Sequence, residues 1–324
     1  MATLSDPLTV KRLTLKCRIV MAPMATDLAT KAGVVTEKLI EHYVKRSKAL
    51  GLLIVEHSYV SPQGKLSERQ LGMHDDTLIP GLKKLVQSVQ AIGTPIVAQI
   101  NHAGARASEK IAGMPPVAPS SAEGARELKL NEIEDLSCVF ALAAERAMKA
   151  GFDGVEVQGA HGFLLNQFFS PSTNRRRDKY GGSLENRMRF PLEVVEKTRE
   201  IVGEKILMYR LGVDDLDPAG TRIEDSKRLA LKLQDAGVDI IDVSGGLCGS
   251  RPERLQGVQG YFVSYAHQIR EVVNLPVVGV GGIKEPEYAD KLVRDGMVDL
   301  VAVGTELLKD PEWAVKALQV RGKL

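Results

Sequence analysis

Eight short runs rich in β-branched residues alternate along the chain with longer stretches of helical spacing. No other feature of the sequence limits the fold as strongly. The runs cover 19–22, 52–56, 95–100, 154–157, 205–210, 238–243, 276–280 and 300–303. Amphipathic segments lie near 36–49, 78–92, 131–150, 185–202, 222–236, 261–273, 286–295 and 311–320, with apolar positions recurring at three- and four-residue steps. Strand–helix alternation implies a parallel sheet, because each helix returns the chain across it. Eight such units close a (β/α)8 TIM barrel. An open doubly wound sheet would usually need a glycine-rich turn after its first strand to hold a dinucleotide. Met21-Ala22-Pro23-Met24 stands there instead, and no GxGxxG occurs in the chain. The expectation is one barrel domain over residues 1–324. Leu8-Thr9-Val10 and Leu13-Thr14-Leu15 read as a hairpin plugging the barrel bottom. The stretches after the third and fourth strands, 101–130 and 158–184, are long enough to be lids or binding loops. Asn131 with Glu134 and Thr221 with Glu224 resemble capping boxes, and Asp310-Pro311 reads as a helix start.

Composition narrows the function. Lys+Arg 43 against Asp+Glu 41 leaves a net charge of +2, so no concentrated basic face for nucleic acid is expected. The apolar runs fall far short of a membrane span, and the N-terminus has no signal-peptide pattern. Cys17, Cys138 and Cys248 lie far apart without zinc or iron–sulfur spacing. A reduced, cytoplasmic setting and no metal site are expected. A homo-oligomer is expected on general grounds. Arg321-Gly322 reads as a plain tail.

Strands of such a barrel are buried on both faces, so their polar residues need a reason. Here these cluster at the C-terminal strand ends: Glu56-His57, Gln99-Ile100-Asn101-His102, Gln158 with His161, Arg210, Ser244-Gly245-Gly246, Gly281-Gly282 and Gly304-Thr305. Barrel enzymes build their sites at that face, often with a phosphate held after strands seven and eight. Gly281-Gly282 and Gly304-Thr305 suit such a phosphate. Arg210 ends an apolar strand and needs an anionic partner or an electron-rich ring; an ion pair with Glu56 is the plainer alternative. Gln99 offers a donor and an acceptor to an amide-like edge. Together these features suit FMN. His102 reads as a loop-ordering residue, and Cys248 as an inert thiol.

The segment Ser170-Pro171-Ser172-Thr173-Asn174-Arg175-Arg176-Arg177-Asp178-Lys179-Tyr180-Gly181-Gly182-Ser183-Leu184-Glu185-Asn186-Arg187 resembles the signature loop of the Old Yellow Enzyme family of flavin oxidoreductases. Arg18–Met24, Gln99–Gly104 and Gly151–Val157 are similar to its other landmarks, in the same order. The resemblance spans essentially the whole chain. It implies non-covalent FMN, NADH or NADPH as hydride donor, and a small-molecule activated alkene that receives hydride by way of flavin N5. It places Pro23 and Met24, flanked by Ala22 and Ala25, beside the flavin and Gln99 at its pyrimidine edge; His57, read from its strand end, is a further flavin-edge candidate, with satisfied strand-end polarity as the alternative. Arg210 would meet the charge at N1, a catalytic role. Ser244, Gly245, Gly281, Gly282, Gly304 and Thr305 would surround the phosphate. Gln158 and His161 would grip the substrate oxygen, with Asp27 and Phe163 also contacting substrate.

The chain departs from the family at several points. Gln158 stands where a histidine is usual, and Phe163 where a proton-donating tyrosine is usual. Ala25 replaces a Cys or Thr, and Thr305 an Arg. Larger relatives add an iron–sulfur cluster and a nucleotide domain, so electrons are expected here from NAD(P)H or another soluble donor. Oxidative demethylation of a small amine, or flavin binding without turnover, are the alternatives to alkene reduction.

Overall fold

The structure, a computed structural model, describes residues 2–319; Arg321 and Gly322 lie outside the described residues. β1 (Leu8–Val10) and β2 (Leu13–Leu15) form an antiparallel hairpin. Then follow β3 (Ile19–Met21), α1 (Glu37–Ser47), β4 (Leu52–Tyr59), α2 (Ile79–Gln90) and β5 (Ile96–Asn101). The next loop carries α3 (Glu109–Ala112), β6 (Val117–Ala118) and β7 (Arg126–Glu127) before α4 (Leu130–Ala150) and β8 (Gly154–Gly159). After β8 come α5 (Leu164–Phe169), α6 (Leu184–Val202), β9 (Ile206–Gly212), α7 (Ile223–Asp235) and β10 (Ile240–Ser244). The chain continues with α8 (Val263–Arg270), β11 (Val277–Gly279), α9 (Pro286–Arg294), β12 (Leu300–Val303), α10 (Thr305–Lys309) and α11 (Trp313–Gln319).

Eight parallel strands close in the order β3-β4-β5-β8-β9-β10-β11-β12, so the expected (β/α)8 barrel forms. Period-two alternation sorts its side chains into two cores. Ile19, Leu53, Val155, Leu207 and Ile241 face outward against helix residues such as Leu39, Leu85, Phe140 and Leu229. Val20, Ile54, Val97, Met208, Ile240, Val278 and Leu300 face inward. Val10 and Leu15 of the hairpin join this inner core, which places β1 and β2 as a floor to the barrel. Above the apolar layer, Glu56, Gln99, Glu156, Gln158, Arg210 and Asp242 are all buried.

Some local details differ from the sequence reading. β4 runs on to Tyr59, and its register against β5 slips between Val55 and Ser58. The slip lies at Glu56-His57, and irregularities of this kind re-aim side chains next to sites. α4 begins earlier than expected, so its capping acid is Glu132, which accepts the Lys129 N–H at 2.8 Å. Thr221 caps nothing through its hydroxyl: its N–H donates to Asp215 Oδ2 at 2.6 Å, and α7 starts beyond Arg222. Asp310 Oδ1 accepts the Glu312 N–H at 3.0 Å, and α11 starts at Trp313.

The two long loops are tied to each other. Arg176 is buried in the loop after β8, yet its Nη1 donates to the carbonyls of Pro119 and Leu128, both at 2.7 Å, in the loop after β5. Asp178 neutralises the same guanidinium at 2.7 Å. Asn174 Nδ2 bridges the carbonyls of Phe168 and Tyr180, each at 2.7 Å. The Asn-Arg-Arg-Arg-Asp stretch is therefore a clamp that holds both loops in one position.

Leu15 is 0% exposed beneath the inner core. Leu15→Ala removes most of a side chain from a site the hairpin cannot easily collapse into. The expected loss is about 2–5 kcal/mol in urea unfolding. A loss below about 1 kcal/mol would show that the hairpin is not a load on the barrel floor.

Candidate active site

A cavity of about 800 Å³ opens at the C-terminal ends of the strands, within the size range of small-molecule and cofactor sites. Its wall begins where β3 ends, with Ala22, Pro23, Met24 and Ala25. Arg210 and His57 lie deeper, on β9 and β4. His161, Phe163 and Arg106 cover one side; Gly282, Gly304 and Thr305 form the far end.

The remaining sequence-predicted residues do not line this cavity. Gln99 and Gln158 are buried in the layer below: Gln99 Nε2 donates to Glu156 Oε1 at 2.7 Å, and Gln158 Nε2 approaches Gln99 Oε1 at 3.4 Å. Gln158 Oε1 accepts the Ala160 N–H at 3.0 Å. Ser244 stands behind His161, with its Oγ 2.7 Å from Nε2. The Gly245 carbonyl accepts the His161 N–H at 3.0 Å. Gly281 has φ 124°, and a Cβ there would sit 2.9 Å from the Tyr261 nitrogen. It is a glycine because the turn at 260–262 passes directly over it. Asp27 is exposed and accepts a short hydrogen bond from Ser67.

Two imidazoles face the cavity, and both are neutral. Burial, with Arg106 and Arg210 nearby, holds His161 well below the usual histidine range. Burial likewise pulls His57 down to about 4. The tautomer of His57 follows from its neighbours. Gln70 Oε1 accepts the Leu66 N–H at 2.7 Å, which turns Gln70 Nε2 toward His57 Nδ1 at 2.8 Å. Nδ1 must accept, so the proton sits on Nε2. His161 has φ 60°, a left-handed backbone uncommon outside glycine. The Gly245 contact and a short hydrogen bond from Arg106 to the His161 carbonyl hold it there. The Arg106 guanidinium lies 5.2 Å from the centre of the Phe163 ring.

Glu56 does not pair with Arg210. Its carboxyl accepts the Thr26 N–H at 2.8 Å and the Thr26 hydroxyl at 2.7 Å, fixing the segment that follows Ala25. Burial raises it to about 7. The carboxylate beside Arg210 is Asp242, whose Oδ2 lies 3.5 Å from Nε. The Cys248 thiol is pushed up to about 11 by burial, which keeps it protonated and unreactive. His102 Nδ1 accepts the Gly104 N–H at 3.1 Å, ordering the turn that leads to Arg106.

These residues fit FMN. Arg210 lines the cavity, and its Nη1 is buried without a hydrogen-bond partner, which suits an electron-rich ring edge. At the other end a Cβ on Gly304 would come within 2.9 Å of Met24 Sδ, so glycine lets the eighth strand end lie against the first. Arg251 Nη2 stands 3.1 Å from Thr305 Oγ1, bringing a cation to the glycine end of the cavity. No group of three or more His, Cys, Asp or Glu side chains among the described residues is placed to hold a metal ion. No helix among them is long and apolar enough to cross a membrane.

Sequence reasoning missed Glu156, Asp242, Arg106 and Arg251. Glu156 and Asp242 carried a readable signal: each alternates with apolar residues inside its strand, in Gly-Val-Glu-Val-Gln and Ile-Ile-Asp-Val-Ser. Arg106 and Arg251 sit in loops, where no periodicity reports direction.

A family model described as NADH:flavin oxidoreductase / NADH oxidase matches residues 3–323. An NADPH dehydrogenase from Geobacillus thermodenitrificans (strain NG80-2) is 39% identical over 98% of this chain and 94% of its own. An NADH oxidase from Thermoanaerobacter brockii is 44% identical over 96% of this chain, which spans only 50% of that longer protein. The structure of the old yellow enzyme homologue from Zymomonas mobilis is 28% identical, with a TM-score of 0.86, over 99% of this chain and 93% of that one. The barrel, the cavity at its C-terminal face and a match running the length of the chain make this protein a member of the NADH:flavin oxidoreductase / NADH oxidase family, which works with FMN and a reduced nicotinamide.

Proposed function

We propose that the protein transfers hydride from NADH or NADPH, through FMN, to the activated C=C bond of a small molecule. The observation that carries the reading is His161, a neutral imidazole anchored on Ser244 and held beside Phe163 at the cavity that Arg210 also lines. FMN, when bound, supplies the hydride relay. Arg210 would hold its pyrimidine end, with Pro23 and Met24 along its ring, and Gly282, Gly304, Thr305 and Arg251 would receive the phosphate. Gln99 would reach the pyrimidine edge by giving up its 3.4 Å contact with Gln158, which is already longer than a good hydrogen bond and leaves the Gln158 amide to the substrate oxygen.

The acceptor is polarised by His161. In this reading the Ser244 hydroxyl, 2.7 Å from Nε2, takes the donor role, so that the imidazole proton stands on Nδ1 for a carbonyl oxygen. A neutral donor cannot overcharge the substrate, and it stabilises negative charge only as that charge develops. Gln158 is the second donor in this reading. Phe163 packs 5.2 Å from the His57 ring, and it has no proton to give. Protonation of the α-carbon therefore falls to water admitted at the Arg106 rim.

Gly282→Val should crowd the phosphate end, since Gly282 has φ 60° and its Cβ would meet Tyr261 at 3.0 Å. The purified variant is expected to lose most of its FMN, measured by absorbance after denaturation. Full retention would move the phosphate elsewhere. His161→Ala should slow acceptor reduction by roughly 100- to 1,000-fold while reduction of the flavin by NAD(P)H keeps its rate. Equal acceptor rates, followed in anaerobic stopped flow, would leave His161 a loop residue. Phe163→Tyr should speed reduction of a weakly activated enone, up to about 100-fold, if proton delivery limits the rate. No acceleration and no solvent isotope effect would place the limit before protonation and favour amine oxidation over alkene reduction.

A further inference from the structure

The polar layer inside the barrel has a charge count that ordinary hydrogen bonding does not close. Glu156 and Asp242 are each 0% exposed, and Arg210 is 3% exposed. Asp242 is in register with Arg210, and Arg210 with Gln158, two residues along the strand from Glu156. Both Asp242 oxygens, Glu156 Oε2, and Arg210 Nε and Nη1 are buried with no ordinary hydrogen-bond partner. The 3.5 Å between Arg210 Nε and Asp242 Oδ2 is an ion pair without a well-made bond. Gln99 donates to Glu156 Oε1 and supplies no charge. The histidines that face this layer, His57 and His161, are neutral.

Two carboxylates against one guanidinium would leave a net negative charge in a dry interior, which burial strongly disfavours. One retained proton removes the excess. Placed on Glu156 Oε2 and donated to Asp242, it also satisfies two of the bare oxygens at once. We propose that Glu156 and Asp242 hold one proton and one negative charge between them, and that this shared charge sets the field Arg210 presents to the bound flavin. The two carboxyls interact with each other, and each is tied to a neighbour in the same layer, Glu156 to Gln99 and Asp242 to Arg210. Burial raises both, Glu156 furthest, while Arg210 opposes the rise. They are positioning residues: they reach the cofactor only through Arg210. The proposal rests on FMN occupying the cavity and on nothing about the acceptor.

A shared charge behaves differently from two independent ones. In Glu156→Gln, Asp242 keeps the carboxylate. In Asp242→Asn, Glu156 gives up its proton and pairs with Arg210. Either single variant should therefore leave the midpoint potential of bound FMN nearly unchanged. The double variant Glu156→Gln/Asp242→Asn loses the charge and leaves Arg210 uncompensated beside the flavin. Its potential should rise by at least tenfold in the reduced-to-oxidised ratio, about 30 mV for a two-electron couple. The measurement is spectroelectrochemical titration of the holoenzyme. Single variants that each raise the potential, with effects that add in the double, would overturn the proposal, because both carboxylates were then ionised. A double variant that keeps its FMN and its wild-type potential would overturn it too.

A second readout covers variants that fail to fold or to bind flavin. The wild-type protein should show the infrared band of a protonated carboxyl at neutral pH, lost in either single variant. Absence of that band in the wild type would overturn the shared proton. A protein that shows the band yet binds no FMN keeps the pair and refutes the cofactor assignment instead.

Discussion

A closed barrel has no spare surface inside. Any polar group that points inward must be answered by another, since neither water nor a helix can reach it. In this protein one inward cation, Arg210, governs the rest of the interior. Asp242 and Glu156 stand beside it, Gln99 answers Glu156, and Gln158 answers Gln99. The chain of contacts ends at Ala160, one residue before His161. Arg210 also depresses both cavity histidines, so a single guanidinium helps decide the protonation of the whole site.

The site is correspondingly stiff. Its donors come from strand ends and from loops that the Arg176 clamp holds together. His161 keeps a left-handed backbone because Gly245 and Arg106 fix it from both sides. Glu56 pins Thr26, and through it the turn that carries Pro23 and Met24. A rigid frame of this kind suits a reaction whose reacting atoms must meet at one distance and angle.

Much of this was legible in the sequence, and the reasons are physical. A strand buried on both faces writes a continuous apolar run, so all eight strands could be placed within a few residues. Strand ends are where polarity resumes, so Arg210 and His161 stood out, whereas the apolar wall from Ala22 to Ala25 was marked only by its resemblance to a family landmark. Direction was harder to read. Gln158 sits at a strand end but points into the interior, and Gly281 lies beneath the 260–262 turn, facts that depend on neighbours far along the chain. The caps failed for a local reason. A shift of two residues exchanges Glu134 for Glu132, and both lie in the same acidic stretch. Arg106 and Arg251 gave no signal because a loop arginine reads as a solvated charge until the fold shows what it faces.

The seam of the barrel has a consequence for how the protein is made. β3 pairs with β12, with Ile19 against Val301, so the first barrel strand waits for the last. Leu4 and Arg18 reach the same late segment, donating to Asp290 at 3.0 Å and to the Asp299 carbonyl at 3.1 Å. On a ribosome, β3 emerges before its partner, and this edge stays bare until β12 has been made. Bare strand edges attract other chains. Shielding of the nascent N-terminal segment is therefore a demand of this topology that is separate from the stability the barrel reaches once closed.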